Sequence, residues 1–208
     1  ALVFNGEIYN APALRRELET LGRRFESKGD TEVILQGYLA WGFGPMLERL
    51  AGMFAIVLWD GRAGEAFAAV DHAGMKPLAW SVRAGALYAA SDCDALRAIL
   101  PEPPALDGVG LCHVLTLGYC PPPRTVWEGV RTLEPGQALR FRPGSPPALW
   151  RHWSAPDALE PAAGPPHFET LFESLVGEHL LSDVPVGLFR SGGLDSTAIA
   201  LALQRLGR

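Results

Sequence analysis

A glycine-rich hexapeptide near the end of the chain has the residue types of an anion-binding loop. It lies between an apolar run at 184–189, which predicts a strand, and a pattern at 197–206 that predicts a helix. Two glycines let a backbone approach a phosphate closely, the helix N-terminus offers unpaired N–H groups, and two serine hydroxyls add donors. The lysine and the spacing of a kinase or GTPase P-loop are absent, and a plain glycine turn is the structural alternative. The residues concerned are Ser191, Gly192, Gly193, Leu194, Asp195 and Ser196.

A second set of polar residues that could do chemistry lies near the start of the sequence. Asn5 and Gly6 follow the apolar residues 2–4 and are typical of a turn that ends a strand. Asn10 and Asp30 each precede a helical pattern, so each is expected to cap a helix. Considered alone, these residues need no role beyond the turn and the caps.

The segments in between predict a β-rich core followed by a break. A helix is expected at 92–100 and a short strand at 137–141. The stretch 143–166 holds many of the 18 prolines and shows little periodicity, which predicts a linker. After it, a helical pattern and the glycine loop are typical of the start of an α/β domain. Hairpin strands are predicted at 53–59, 66–70, 78–82 and 87–90.

Composition limits the class of protein. With 208 residues, 48% of them hydrophobic and 20% charged, the chain has room for one large domain, or for one domain and part of another. A net charge of −5 without a basic stripe argues against nucleic acid as a partner. No apolar stretch is long enough to span a membrane, and three cysteines without paired spacing fit a reducing cytoplasm. Because the sequence opens inside an apolar run without Met, we expect an internal piece of a longer enzyme.

Taken in order, six blocks of the chain resemble the glutamine-hydrolysing asparagine synthetases. The block Asn5-Gly6-Glu7-Ile8-Tyr9-Asn10 is similar to the glutamine-site signature of their class II amidotransferase domain. In the block 183–196, the glycine loop 191–196 resembles the signature of ATP pyrophosphatases, and the preceding 183–187 is similar to asparagine synthetases and their close relatives. The other matching blocks are 29–34, 53–60, 71–78 and 117–129.

The resemblance implies a fold of two parts. The first is an α+β, N-terminal-nucleophile-type αββα amidotransferase domain, incomplete at its N-terminus, at 1–117. The end of that domain and a Pro-rich linker follow at 118–164. The start of an α/β, adenine-nucleotide hydrolase-like ATP-binding domain is expected at 165–208.

The resemblance also implies roles for single residues. Asn5 and Gly6 would form the oxyanion hole of glutamine hydrolysis, and Glu7 and Asp30 would bind the α-amino group of glutamine. The loop would bind ATP and its pyrophosphate, with Mg²⁺ between the phosphates and Asp195, because a carboxylate beside a phosphate needs a cation between them. Helix capping by the charge of Asp195 is the structural alternative.

Arg190 departs from the family pattern, which has a small apolar residue at the end of this strand. A buried unpaired charge would be costly there, so we expect Arg190 to meet phosphate, substrate or an acidic group.

The implied activity joins two reactions. Ammonia released from glutamine amidates an aspartyl-AMP made from aspartate and ATP, giving asparagine, AMP and pyrophosphate, in a cytoplasmic enzyme that could be a homodimer. The nucleophilic cysteine of the family lies upstream of Ala1, so this piece alone is expected to complete neither reaction. Alternatives are a homologue that adenylates another carboxylate (a lactam synthetase, a lasso-peptide cyclase or a cell-surface amidotransferase) and a truncated remnant without activity.

Overall fold

The structure, a computed structural model, describes residues 1–155, 167–182 and 184–207, and the chain divides into two compact units, Ala1–Ala155 and Pro156–Arg208. The predicted linker lies partly outside the described residues, at 156–166. No helix among the described residues is both long and apolar enough to cross a bilayer.

The first unit contains β1 (Leu2–Ile8), α1 (Ala11–Thr20), α2 (Asp30–Trp41), α3 (Phe43–Leu47), β2 (Gly52–Asp60), β3 (Glu65–Val70), β4 (Ala79–Arg83), β5 (Ala86–Ala90), α4 (Cys93–Ile99), α5 (Gly108–Leu117), β6 (Arg131–Thr132), β7 (Gln137–Phe141) and β8 (Ala148–Arg151).

The first unit is built from two antiparallel sheets. Five strands form one sheet in the order β1-β2-β3-β7-β8, and three form the other in the order β5-β4-β6. Side chains alternate between the two faces of a strand, and β2 shows the result. Phe54, Ile56 and Leu58 pack with α1, α2 and α3 in one core, whereas Ala55 joins a second core with Leu78 and Trp80 between the sheets.

A third core lies on the outer face of the smaller sheet, where Ala79 packs with Leu96 of α4. The order of layers is therefore helix, sheet, sheet, helix, and the predicted αββα arrangement is confirmed.

Two predicted local structures near the N-terminus are wrong. Strand β1 does not end at Phe4, before a turn at Asn5-Gly6, but continues to Ile8, because β2 supplies backbone partners along its whole length. Asp30 does not cap its helix, since Gly29 is the N-cap and the Asp30 side chain bonds elsewhere. Asn10 is an N-cap by position only, because its side chain bonds the backbone of Arg49 and Ala51, at 2.8 and 3.0 Å.

The second unit contains α6 (Phe168–Glu178) and α7 (Leu194–Arg205), joined by the ion pair of Arg205 with Glu173 at 2.9 Å. An apolar cavity of about 410 Å³ lies between these helices and residues 186–188. The predicted strand at 184–189 is not formed, because no neighbouring strand pairs with it in the described part of this unit. Helix α7 begins at Leu194, three residues earlier than predicted.

A buried carboxylate, that of Asp71, organises the turn that follows β3. Asp71 is only 1% exposed, and its carboxylate accepts four backbone hydrogen bonds, each 3.0 Å long. The backbone of Asp71 adds bonds to Phe54 and to Gly136, both 2.9 Å long. The four donors to the carboxylate are the N–H groups of Phe54, Ala73, Met75 and Lys76.

Aromatic rings cover the same region from the side of β8. The ring of His152 stacks on Phe54, with centroids 6.2 Å apart, and meets His72 edge-on at 5.6 Å. His72 in turn packs against Trp153 at 5.4 Å. His152 Nε2 lies 2.9 Å from the carbonyl oxygen of Val70, so Nε2 carries the proton and donates, while buried Nδ1 has no hydrogen-bond partner among the described residues. Burial lowers the pKa of His152 below its ordinary value.

We expect Asp71→Ala to lower the free energy of unfolding of the first unit by about 3 kcal/mol or more, since it leaves one buried and three partly buried N–H groups without their acceptor. The matched control is Asp92→Ala, which removes an exposed carboxylate that caps α4 and should cost about 1 kcal/mol. Urea unfolding followed by tryptophan fluorescence measures both, because all six tryptophans lie in the first unit. Equal losses would contradict a central role for Asp71.

A second expectation concerns pH. Because the folded state lowers the pKa of His152, its contribution to stability is fully present above the ordinary histidine pKa of about 6.5 and is lost as the pH falls below it. The free energy of unfolding should therefore drop less between pH 7.5 and 5.5 in His152→Gln than in the unmodified chain. His167→Gln, in the second unit, should behave like the unmodified chain. An equal drop in His152→Gln would refute the expectation.

Candidate functional site

Strand β1 carries three of the predicted glutamine-site residues in succession, Asn5, Gly6 and Glu7. In the described part of the larger sheet, β1 is an edge strand with β2 as its neighbour. Backbone bonds between the strands involve odd-numbered residues, as Trp59 N donates to Ala1 O and Tyr9 N donates to Ala51 O, both at 2.8 Å. Antiparallel strands alternate hydrogen-bonded and non-hydrogen-bonded pairs, so even-numbered residues of β1 point their N–H groups away from β2.

Gly6 is one of these even-numbered residues, and its N–H group therefore points outward from the sheet edge. The backbone of Phe54, which lies opposite Gly6, bonds Asp71 instead of β1. Non-hydrogen-bonded pairs approach closely, at about 4.5 Å between Cα atoms. A Cβ atom at Gly6 would collide with the carbonyl oxygen of Met53, and one at Gly52 with that of Glu7. Both positions are therefore restricted to glycine by the approach of the two backbones.

The carboxylate of Asp30 reaches the end of the same strand. Its Oδ2 accepts a hydrogen bond of 3.1 Å from Ile8 N, which is the next outward-pointing N–H group after that of Gly6. Asp30 is the first residue of α2 and is partly buried. The structure thus brings Asp30 to β1, although the residues are 22 positions apart in sequence.

The pKa of Tyr9 is affected by negative charge close to the end of β1. Burial raises the pKa of Tyr9 first, and the negative charges of Glu7 and Asp71 raise it further. Glu7 is partly buried. Carboxylates at the end of β1 can attract a cationic group such as an ammonium.

Ser91 is a neighbour of Asn5 that sequence analysis did not single out. Asn5 Nδ2 lies 3.4 Å from Ser91 Oγ, to which it donates a hydrogen bond across 86 positions of sequence. Ser91 stands between β5 and α4, in a segment that pairs with β1 in no strand ladder. No spacing signal could have linked the two residues, because the contact depends on how the two sheets stack.

The predicted phosphate loop lies wholly in the second unit. Gly193 is the N-cap of α7, and no side chain caps that helix end within the described structure. Gly192 has a φ of 85°, a left-handed conformation that favours glycine. The hydroxyls of Ser191 and Ser196 lie 3.2 Å apart, and Gly193 N donates to Ser191 Oγ at 3.4 Å. The loop therefore presents glycine backbone and hydroxyl groups at a helix N-terminus.

Three charged or apolar residues around the loop point to solvent. Arg190 is exposed and makes no ion pair with any residue the structure describes, and the expectation that it meets phosphate, substrate or an acidic group stays a prediction. Asp195 lies in the first turn of α7 and is also exposed, as is Leu194, at 90%. No group of three or more possible metal-ligating side chains occurs among the described residues.

Comparison with known families defines the class of this protein. Residues 1–150 match the family model described as glutamine amidotransferase domain, and the chain belongs to that family. Residues 167–208 match the model described as asparagine synthase. The resemblance inferred from the six sequence blocks is thereby confirmed.

Individual relatives agree with both matches. A protein of Mycobacterium tuberculosis is 40% identical over 210 residues, which cover 96% of this chain and 32% of the relative. Asparagine synthetase 3 (glutamine-hydrolyzing) of Bacillus subtilis is 34% identical over 207 residues, which cover 95% of this chain and 33% of the relative. The chain thus spans about a third of the length of the curated relatives it matches.

A solved structure supports the fold alone. Glutamine phosphoribosylpyrophosphate amidotransferase from Bacillus subtilis has a TM-score of 0.52 to this chain. The two are 23% identical, over 74% of this chain and 29% of the other.

We expect Gly6→Ala and Gly52→Ala each to lower the free energy of unfolding of the first unit by about 2 kcal/mol, because backbone must move to admit the added methyl group. Gly108→Ala is the control, since a Cβ there meets nothing within 4 Å at the start of α5, and it should be neutral or slightly stabilising. Urea unfolding of the three variants tests this. A neutral Gly6→Ala would show that β1 and β2 do not approach so closely.

Proposed function

We propose that this chain belongs to a glutamine-hydrolysing asparagine synthetase, in which it carries the oxyanion-binding and ammonium-binding residues of the glutamine site and the start of the ATP site. Ammonia from glutamine would amidate an aspartyl-AMP formed from aspartate and ATP, with release of asparagine, AMP and pyrophosphate. The observation that carries the proposal is the outward-pointing Gly6 N–H group beside the side-chain amide of Asn5, on one strand.

This arrangement supports the hydrolysis of an amide. The tetrahedral intermediate carries an oxyanion, which Asn5 Nδ2 and Gly6 N would stabilise with two hydrogen bonds. Because one donor is backbone on a paired strand, it is already oriented before glutamine binds. Glu7 and Asp30 would bind the α-ammonium group of glutamine with charge-assisted hydrogen bonds.

The second unit supports nucleotide binding. Ser191, Gly192, Gly193 and Ser196 supply neutral donors at a helix N-terminus, the donor set that suits a phosphate. A magnesium ion would need a carboxylate such as that of Asp195 together with phosphate oxygens, because Mg²⁺ keeps few protein ligands in such sites. Leu194 lies between these residues in the loop, and the exposed Arg190 is available to a phosphate oxygen.

The described residues constrain the acceptor, the carboxylic acid that receives the ammonia, less than they constrain the glutamine site. A lactam synthetase, a lasso-peptide cyclase or a cell-surface amidotransferase would use the same loop with another carboxylate. The intact Asn5 to Asn10 signature favours an enzyme that still uses glutamine over a remnant without activity. We also propose a cytoplasmic location, in keeping with three free cysteines, and a homodimer.

The full-length gene product tests the proposal. Incubated with glutamine, aspartate, ATP and magnesium, it should form asparagine, AMP and pyrophosphate in equal amounts. Omission of aspartate should abolish the formation of AMP. Formation of AMP with another carboxylate but not with aspartate would replace the proposed acceptor, and absence of glutamine hydrolysis would refute the proposed glutamine site.

We expect Asp30→Asn, in the same full-length protein, to raise KM for glutamine about tenfold or more, because a charge-assisted bond to the ammonium becomes a neutral one. The exchange keeps an acceptor for Ile8 N, so the fold should survive. Glu19→Gln, an exposed acid on α1, is the matched control and should leave KM unchanged. Steady-state kinetics with glutamine measure both, and an unchanged KM in Asp30→Asn would contradict the assigned role.

A further inference from the structure

We propose that Ser91 is a positioning residue for the side-chain amide of Asn5. The inference rests on the proposed glutamine site, in which that amide stabilises the oxyanion. The observation behind it is the hydrogen bond of 3.4 Å from Asn5 Nδ2 to Ser91 Oγ. Ser91 lies outside the glutamine-site signature and is joined to it by this contact.

An exposed asparagine side chain needs such a partner if it is to act as an oxyanion donor. Asn5 is exposed on β1, where rotation about its side-chain bonds would be free. Rotation could also present the carbonyl oxygen, which repels an oxyanion, in place of the NH₂ group. A serine hydroxyl that accepts one Nδ2 hydrogen holds the NH₂ group in place and leaves the second hydrogen for the oxyanion.

Ser91 lies between two elements of regular structure. The residue follows β5 directly, and the next residue, Asp92, caps α4 with bonds of 2.7 and 3.0 Å to Asp94 N and Ala95 N. Leu96 anchors α4 in the third core and is fully buried. Ser91 is thus held between a paired strand and a capped helix, as a residue that orients a catalytic group requires.

The kinetic test uses the full-length protein. Ser91→Ala should lower kcat for glutamine hydrolysis about tenfold, less than the loss of an oxyanion donor itself, while KM for glutamine stays within about twofold. Ser91→Thr, which keeps the hydroxyl, should restore most of kcat. In the Asn5→Ala background, Ser91→Ala should have little further effect, since the group that it orients is gone. Ser145→Ala, an exposed serine elsewhere in the unit, is the control and should match the unmodified enzyme.

The outcomes separate this inference from the proposed function. Normal kcat in Ser91→Ala, or an equal loss in the presence and absence of Asn5, would overturn the role of Ser91 and leave the glutamine site intact. No glutamine hydrolysis by the unmodified protein would overturn both. Thermal unfolding of each variant identifies any loss of kcat that comes from unfolding.

A readout independent of activity uses the 208-residue chain. In NMR spectra, the side-chain amide signals of Asn5, assigned by their absence in Asn5→Ala, should be displaced from those of a free asparagine amide, because one Nδ2 hydrogen is hydrogen-bonded. In Ser91→Ala the signals should move towards those of a free amide, and in Ser91→Thr they should remain. Identical spectra in Ser91→Ala would overturn the contact.

Discussion

The carboxylate of Asp71 is the interaction on which the first unit depends most. It is an anion removed from water, and four backbone N–H groups replace its hydration. One of those groups belongs to Phe54, in the strand that supports β1, and the others close the turn after β3. Because Phe54 bonds Asp71 on one side, it pairs with Gly6 without hydrogen bonds on the other. The Asp71 carboxylate therefore supports the non-hydrogen-bonded pairing that directs the Gly6 N–H group away from β2.

Side chains near the site bond distant backbone in preference to their own helices. Asp30 and Asn10 both stand at helix starts, yet Asp30 accepts from Ile8 and Asn10 bonds Arg49 and Ala51. Each contact ties the end of β1 to a different element. A local hydrogen bond of a cap would stabilise one helix only, whereas these bonds fix the strand end against α2 and against the start of β2.

The continuous apolar runs 53–59 and 66–70 predicted strands buried on both faces, and β2 and β3 are such strands. The αββα layers were implied by the family resemblance. Prediction from the sequence failed where partners far apart in the chain determine the local structure. The dipeptide Asn5-Gly6 has the local signature of a turn, but pairing with β2 overrides it. The apolar run 184–189 has the composition of a strand, but it finds no strand to pair with in the second unit as described. The contact of Ser91 with Asn5 carries no sequence signal at all.

The reciprocal close approach of Gly6 and Gly52 has a consequence for how this site can change in evolution. The oxyanion donor at Gly6 is backbone, so no exchange of side chains can supply it elsewhere, and only the pairing of β1 with β2 sets its direction. Insertion or deletion of one residue in β1 would reverse the directions of the N–H groups on one side of the change relative to β2. Neither an exchange of Gly6 or Gly52 nor a shift of the alignment by a single position is therefore compatible with an unchanged site.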